Sequence, residues 1–130
     1  MVALNKSITL FHGTSKENLE KALVNGILPW NEVGQHNWDT EQDLFGFYTP
    51  IPGNVYIAKF DRAKDYALYL KENGKTKQPV VIEVLVDKSN LVSDEDAKED
   101  NWQDSLKVNG TCAHVGFIPA SKIMAVYNCA

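Results

Sequence analysis

The stretch Ile8-Thr9-Leu10-Phe11-His12-Gly13-Thr14-Ser15 decides how the rest of the chain is read. Ile8 to Phe11 is a short β-prone run, because branched and aromatic side chains fit a pleated, half-buried surface. The run is expected to end at His12-Gly13-Thr14, a tight loop. Ser15 carries the short oxygen-bearing side chain that caps a helix, and Asn18-Leu19-Glu20-Lys21-Ala22-Leu23 sets leucines four residues apart on one helical face. Gly26 suits the position after a helix, where left-handed backbone is common. Strand, loop, helix and stop form the opening unit.

Further along, Asn54 to Ala58 (Asn-Val-Tyr-Ile-Ala) reads as a strand. Asp61 is expected to cap a helix over 62–73, with Ala63, Tyr66, Ala67 and Leu70 on one face and Gly74 ending it. Pro79 to Val86 is almost continuously apolar, which predicts a central strand buried on both faces. Glu83 interrupts it and must be paired, protonated or near an edge. Between the first two units, residues 30–54 hold Trp30, Trp38, Phe45, Phe47 and Tyr48 with Pro50 and Pro52. The prolines prevent regular pairing, and a long aromatic loop of this kind is usually functional. Asn90 to Asn101 is acidic and is read as a solvated loop, since a cation site would need ligands at fixed offsets around a turn glycine. Trp102 to Leu106 is a helical turn, and Thr111–Phe117 and Lys122–Tyr127 are two last strands joined at Ile118-Pro119.

These elements sum to a single α+β domain over 1–130, with five or six strands and two or three helices. Regular strand–helix alternation does not continue past residue 86. A split sheet, mixed or antiparallel, flanked by helices therefore fits better than a doubly wound one. The composition, 44% hydrophobic and 23% charged, excludes a disordered chain, a collagen and a coiled coil. No apolar run approaches the roughly 18 residues of a membrane span. A formal charge of −4 opposes general phosphate-backbone binding but leaves room for a local basic cleft. Arg62 is the only arginine among 13 basic residues, so no multi-arginine phosphate grip can be built. Cys112 and Cys129 form no metal-binding or redox motif, and three scattered histidines add no metal spacing, so no metal is expected. Two reduced thiols and the absence of a secretory leader predict a cytoplasmic protein.

His12-Gly13-Thr14 is the first chemical candidate. A strand-end histidine is a titratable donor, glycine lets a ligand approach the main chain, and the following helix offers free N–H groups. Tyr56 and Tyr66, ten residues apart on a strand and the next helix, could wall a slot for a flat heterocycle. Taken singly, each of these residues reads more readily as a structural or packing residue. No Ser-His-Asp or Cys-His arrangement and no phosphate-loop motif is present.

Leu10-Phe-His-Gly-Thr14, Asn18-Leu, Leu23…Gly26-Ile, Val55-Tyr-Ile-Ala58, Ala63…Tyr66 and the ending from Asn109-Gly110 through Ile118-Pro119 to Ile123 together resemble the ADP-ribosyltransferase superfamily. The likeness is to its poly(ADP-ribose) polymerase-like branch, with a His-Tyr-Glu triad, and spans roughly residues 9–70 and 108–127. It implies that His12 binds a ribose hydroxyl of NAD, that Gly13 clamps the nicotinamide carboxamide through its backbone, and that Thr14 contacts the adenosine side. Asn18 matches an asparagine inside the following helix. Tyr56 and Tyr66 would sandwich the nicotinamide ring. The triad glutamate falls at Thr111 or Cys112, neither a carboxylate; Gln103 and Asp104 lie one turn upstream. By the same likeness, Thr111 or Gln103 would complete the site, and chain elongation is not expected.

The resemblance implies a small mono-ADP-ribosyltransferase, formally a glycosyltransferase, that consumes NAD and modifies a protein or a nucleic-acid acceptor. The loop 30–53 is where acceptor contacts are expected. Small free-standing members often act as toxins, phage effectors or anti-defence proteins. Two other readings stand beside it. One is a binding module for NAD, ADP-ribose or a protein, its chemistry lapsed. The other is a tRNA 2′-phosphotransferase-like enzyme, which shares the His-Gly-Thr opening but needs several arginines.

Overall fold

The computed structural model describes residues 6–29, 53–94 and 97–129. The aromatic segment proposed for acceptor contacts, residues 30–52, lies outside the described residues. Six strands and three α-helices follow in the order β1 (Ser7–Ser15), α1 (Lys16–Asn25), β2 (Asn54–Ala58), α2 (Phe60–Glu72), β3 (Pro79–Asp87), β4 (Leu91–Val92), α3 (Trp102–Asn109), β5 (Thr111–Val115) and β6 (Ile123–Asn128).

The strands make one sheet in the order β4-β5-β2-β1-β3-β6, and every pairing is antiparallel. The α+β expectation holds, in its antiparallel form. The sheet is far from uniform, however. β1 and β3 are in register from Ser7–Asp87 to Ser15–Pro79, whereas β1 and β2 register only at Phe11–Ala58. The β1–β2 contact is therefore a seam between two better-paired halves.

Helices cover both faces. One face buries Leu10, Val55, Ile57, Ile82, Val84 and Cys112 against Leu19 and Ala22 of α1 and Leu106 of α3. The other sets Ala58 and Val81 against Ala63 and Ala67 of α2, with Phe11 and Phe60 beside them. This double cover makes β3 apolar along nearly its whole length. Glu83 lies one strand from the edge, half-buried, and its carboxylate accepts the Tyr127 hydroxyl at 2.7 Å.

Several boundaries depart from expectation. His12-Gly13-Thr14 is strand, not loop, because β3 pairs β1 to its end. Ser15 caps α1 as predicted, accepting the Asn18 N–H at 3.1 Å. Asp61 does not cap α2. Pairing of the Lys59 N–H with the Gly110 carbonyl keeps Lys59 extended, and Lys59 becomes the cap without a side-chain bond. Asp61 sits in the first turn, where its charge still complements the helix dipole. β5 stops at Val115 because Gly116, at φ +81°, turns the chain and donates its N–H to the Gly53 carbonyl. The turn predicted at Trp102 is a full helix. β5 and β6, adjacent in sequence, lie in opposite halves of the sheet.

The acidic stretch is only in part the solvated loop its composition suggests: Lys98, Asp100 and Asn101 are exposed, but Leu91 is buried. It contributes β4, and Asp94 is only 8% exposed. The reason is local: a pair of residues adds itself to the free edge of β5 and carries Asp94 inward with it.

Candidate functional site

The site is built at the seam. In an antiparallel pair, backbone bonding to one neighbour alternates residue by residue, so intervening residues turn their polar groups the other way. The Lys16 N–H donates to the Gln78 carbonyl. Counting back along the register, Thr14 and His12 bond towards β3, while Gly13 and Phe11 turn their N–H and C=O towards β2. Phe11 finds Ala58 there. Gly13 lies beyond that last registered pair, with its backbone polar groups directed into the seam.

On the other side of the seam, the Gly116 N–H to Gly53 carbonyl bond sets the alternation of β2, so Tyr56 directs its carbonyl towards β1. His12 Nδ1 lies 2.8 Å from that carbonyl oxygen. A carbonyl can only accept, so Nδ1 carries the proton. Burial pushes the His12 imidazole below its ordinary range, and the bond to Tyr56 opposes the shift without reversing it. The residue keeps part of its surface, while its ring is well desolvated. The neutral ring then presents Nε2 as an acceptor.

Gly13 also has a packing reason to be glycine. A Cβ there would collide with the Ala63 carbonyl oxygen and crowd the Ala67 nitrogen at 3.2 Å. Close approach of α2 to β1 thus fixes the residue type, and the same approach brings the helix that carries Tyr66 over the seam. Thr14 is fully buried and accepts from the Asn18 amide at 3.3 Å, tying the end of β1 to the first turn of α1. Tyr56 and Tyr66 are both half-buried.

Thr111 faces Ala58 across the β2–β5 ladder, and Ala113 faces Tyr56. Thr111 and Tyr56 are thus diagonal neighbours on one face, roughly 7–8 Å apart by ladder geometry. The Thr111 hydroxyl donates to Asp94 Oδ2 at 2.7 Å and accepts from Asn109 Nδ2 at 2.7 Å. The Ser105 hydroxyl donates to the Thr111 carbonyl at 2.6 Å and accepts the Asp94 N–H at 3.0 Å. Four polar side chains from β5, α3 and the end of β4 therefore lock together. Cys112, next in the chain, is pushed up to about 12 by burial and by the Asp94 charge.

His12 and Tyr56 are thus in direct contact, Gly13 faces the same seam, and Thr111 shares a face with Tyr56. Gln103 is exposed on α3, whose buried residues are Ser105 and Leu106. Asp94 was missed in the sequence. Its only signal was an acidic residue two positions after an apolar pair, too common a pattern to single out. Among the described residues, no three His, Cys, Asp or Glu side chains converge as a metal site requires. No helix among them is long and apolar enough to cross a membrane.

The chain matches no protein-family model, and no curated protein matches it.

Proposed function

We propose that this chain is an NAD-dependent mono-ADP-ribosyltransferase. The observation that carries the reading is the His12–Tyr56 contact across a seam where β1 and β2 otherwise register at one pair. It joins two residues 44 positions apart and fixes which imidazole nitrogen carries the proton, while burial favours the neutral ring and so leaves Nε2 as the acceptor.

The chemistry asked of the site is modest in covalent terms. The bond between the nicotinamide nitrogen and the ribose C1′ breaks, and its electron pair neutralises the departing pyridinium. Positive charge develops on the ribose, the acceptor nucleophile bonds to C1′, and its proton leaves to solvent or a nearby base. The protein's work is to orient the reactants and stabilise the developing charge. His12 Nε2 would accept a ribose hydroxyl. The Gly13 N–H and C=O would hold the carboxamide. Tyr56 and Tyr66 would flank the ring. The Asp94 carboxylate, held by the Thr111 hydroxyl, supplies negative charge on the Tyr56 face; Thr111 itself is no base. The residues present fit NAD as a substrate: a seam-facing backbone amide, an acceptor imidazole and two half-buried tyrosines.

A second reading, a nucleotide-binding module without turnover, is favoured by one observation. The Thr111 hydroxyl is already engaged by Asp94 and Asn109. The phosphotransferase reading gains nothing, since Arg62 is exposed with its aliphatic stem against Gly110. Incubation with adenine-labelled NAD and cell lysate separates the first two. Label transferred to macromolecules supports the transferase; NAD binding without transfer or nicotinamide release supports the module.

A further inference from the structure

An open groove of about 670 Å³ lies where α2 ends and β3 begins, lined by Glu17, Lys71, Lys75, Thr76, Lys77 and Gln78. Its floor is tied to the end of β1. The Lys16 N–H donates to the Gln78 carbonyl, and the Thr76 hydroxyl donates to Glu17 Oε1 at 2.9 Å while accepting the Gln78 N–H at 3.0 Å. Three lysines against one glutamate leave the lining at +2 in a chain whose net charge is −4. Glu17 accepts from the Thr76 hydroxyl and is exposed, as are Lys71 and Lys77. A basic groove on an acidic chain concentrates polyanions locally.

We propose that this groove binds the phosphodiester backbone of a single-stranded nucleic acid. Lysine ammonium groups and a glutamine side-chain amide are donors of the kind used against phosphate and sugar. With no arginine in the lining there is no bidentate fork, and the lysines hold phosphate as point charges without directional demand. Lys16, whose N–H holds the carbonyl of the lining residue Gln78, stands four residues beyond His12, about 13 Å at strand rise. That spacing sets a bound strand beside the seam. The inference that this strand is the acceptor rests on the transferase reading; the binding itself does not.

The test is fluorescence anisotropy of the full chain with a labelled single-stranded 20-nucleotide RNA and its DNA counterpart, without NAD. Three neutralised phosphates predict an affinity that falls about 20-fold between 50 and 200 mM salt. The variant Lys71→Gln/Lys75→Gln/Lys77→Gln should lose at least about 10-fold in affinity, with its melting temperature and NAD hydrolysis unchanged. If the triple variant melts early, Lys77→Glu alone serves, with a smaller loss expected. Three results overturn the proposal: no binding, equal binding by the variants, or displacement by polyglutamate of matched charge, which would assign the groove to acidic polypeptides. Weaker NAD affinity in the variant with oligonucleotide binding intact would assign the lysines to the dinucleotide's own diphosphate and also overturn it. Binding with no transfer to the oligonucleotide would leave the groove assigned and overturn only the inference that this strand is the acceptor.

Discussion

The imidazole Nδ1 of His12 donates to the carbonyl oxygen of Tyr56 at 2.8 Å, across the seam where β1 and β2 register at a single pair. The side chain takes an acceptor that a longer β1–β2 ladder would have given to Gly13. One contact therefore fixes the histidine tautomer, spans the seam and leaves the Gly13 backbone directed into it.

This contact has a pH signature. The folded-state pKa of His12 lies below its ordinary 6.5, with burial the larger cause. Below 6.5 the unfolded chain binds more protons than the folded one, so stability falls as pH drops from 6.5 towards the lowered folded value and levels off beneath it. Above 6.5 the contribution is constant. Chemical denaturation at pH 7.5 and 5.5 should show a loss in the wild type that His12→Gln largely removes.

Gly13→Ala is expected to destabilise by about 1–3 kcal/mol, because the added methyl meets the backbone of α2 rather than a movable side chain. Thermal melting should report it as a drop of several degrees. An unchanged melting temperature would mean that α2 does not sit against β1 as described.

Thr111→Val keeps the shape but removes the hydroxyl that donates to Asp94, leaving a buried carboxylate short of a donor. The expected cost is about 1–3 kcal/mol. Asp94→Asn should lower nicotinamide release at least tenfold with little change in the KM for NAD. Thr111→Glu sets a second carboxylate beside Asp94 and should lose stability at neutral pH, and Asp94→Asn in the same chain should restore part of it.

The opening unit, both long helices and β3 were legible because each is written in local pattern: the Ser15 cap, the Ala63–Ala67 face and the unbroken apolar run from Val80. What was not legible depends on partners distant in sequence. β4 is two residues long and exists only by pairing with β5. The burial of Asp94 follows from that pairing, so composition alone suggested solvent. Gly13 suggested room for a ligand, whereas its tightest constraint is a helix 50 residues away. His12 and Tyr56 were singled out by motif, but their contact through a backbone carbonyl was not legible, because one-letter patterns carry side chains and not main-chain direction.

Cys112 and Cys129 are both free thiols. Cys112 is buried and pushed up to about 12, so it should resist alkylation at pH 8 until the chain unfolds, while half-buried Cys129 reacts first. Mass spectrometry after timed iodoacetamide treatment reads the order. Early labelling of Cys112 would contradict the packing of β5 between β4 and β2.

Tyr56→Ala should weaken NAD binding by about 1–3 kcal/mol, the scale of base–aromatic stacking, read by calorimetry.

The most direct test of the whole account is nicotinamide release from NAD by the pure protein, with and without cell lysate, beside His12→Ala. The account predicts release that rises with lysate and falls at least about 100-fold in the variant, whose fold at pH 7.5 is intact by circular dichroism. Release that is unaffected by His12→Ala, or no release in either condition, would contradict it.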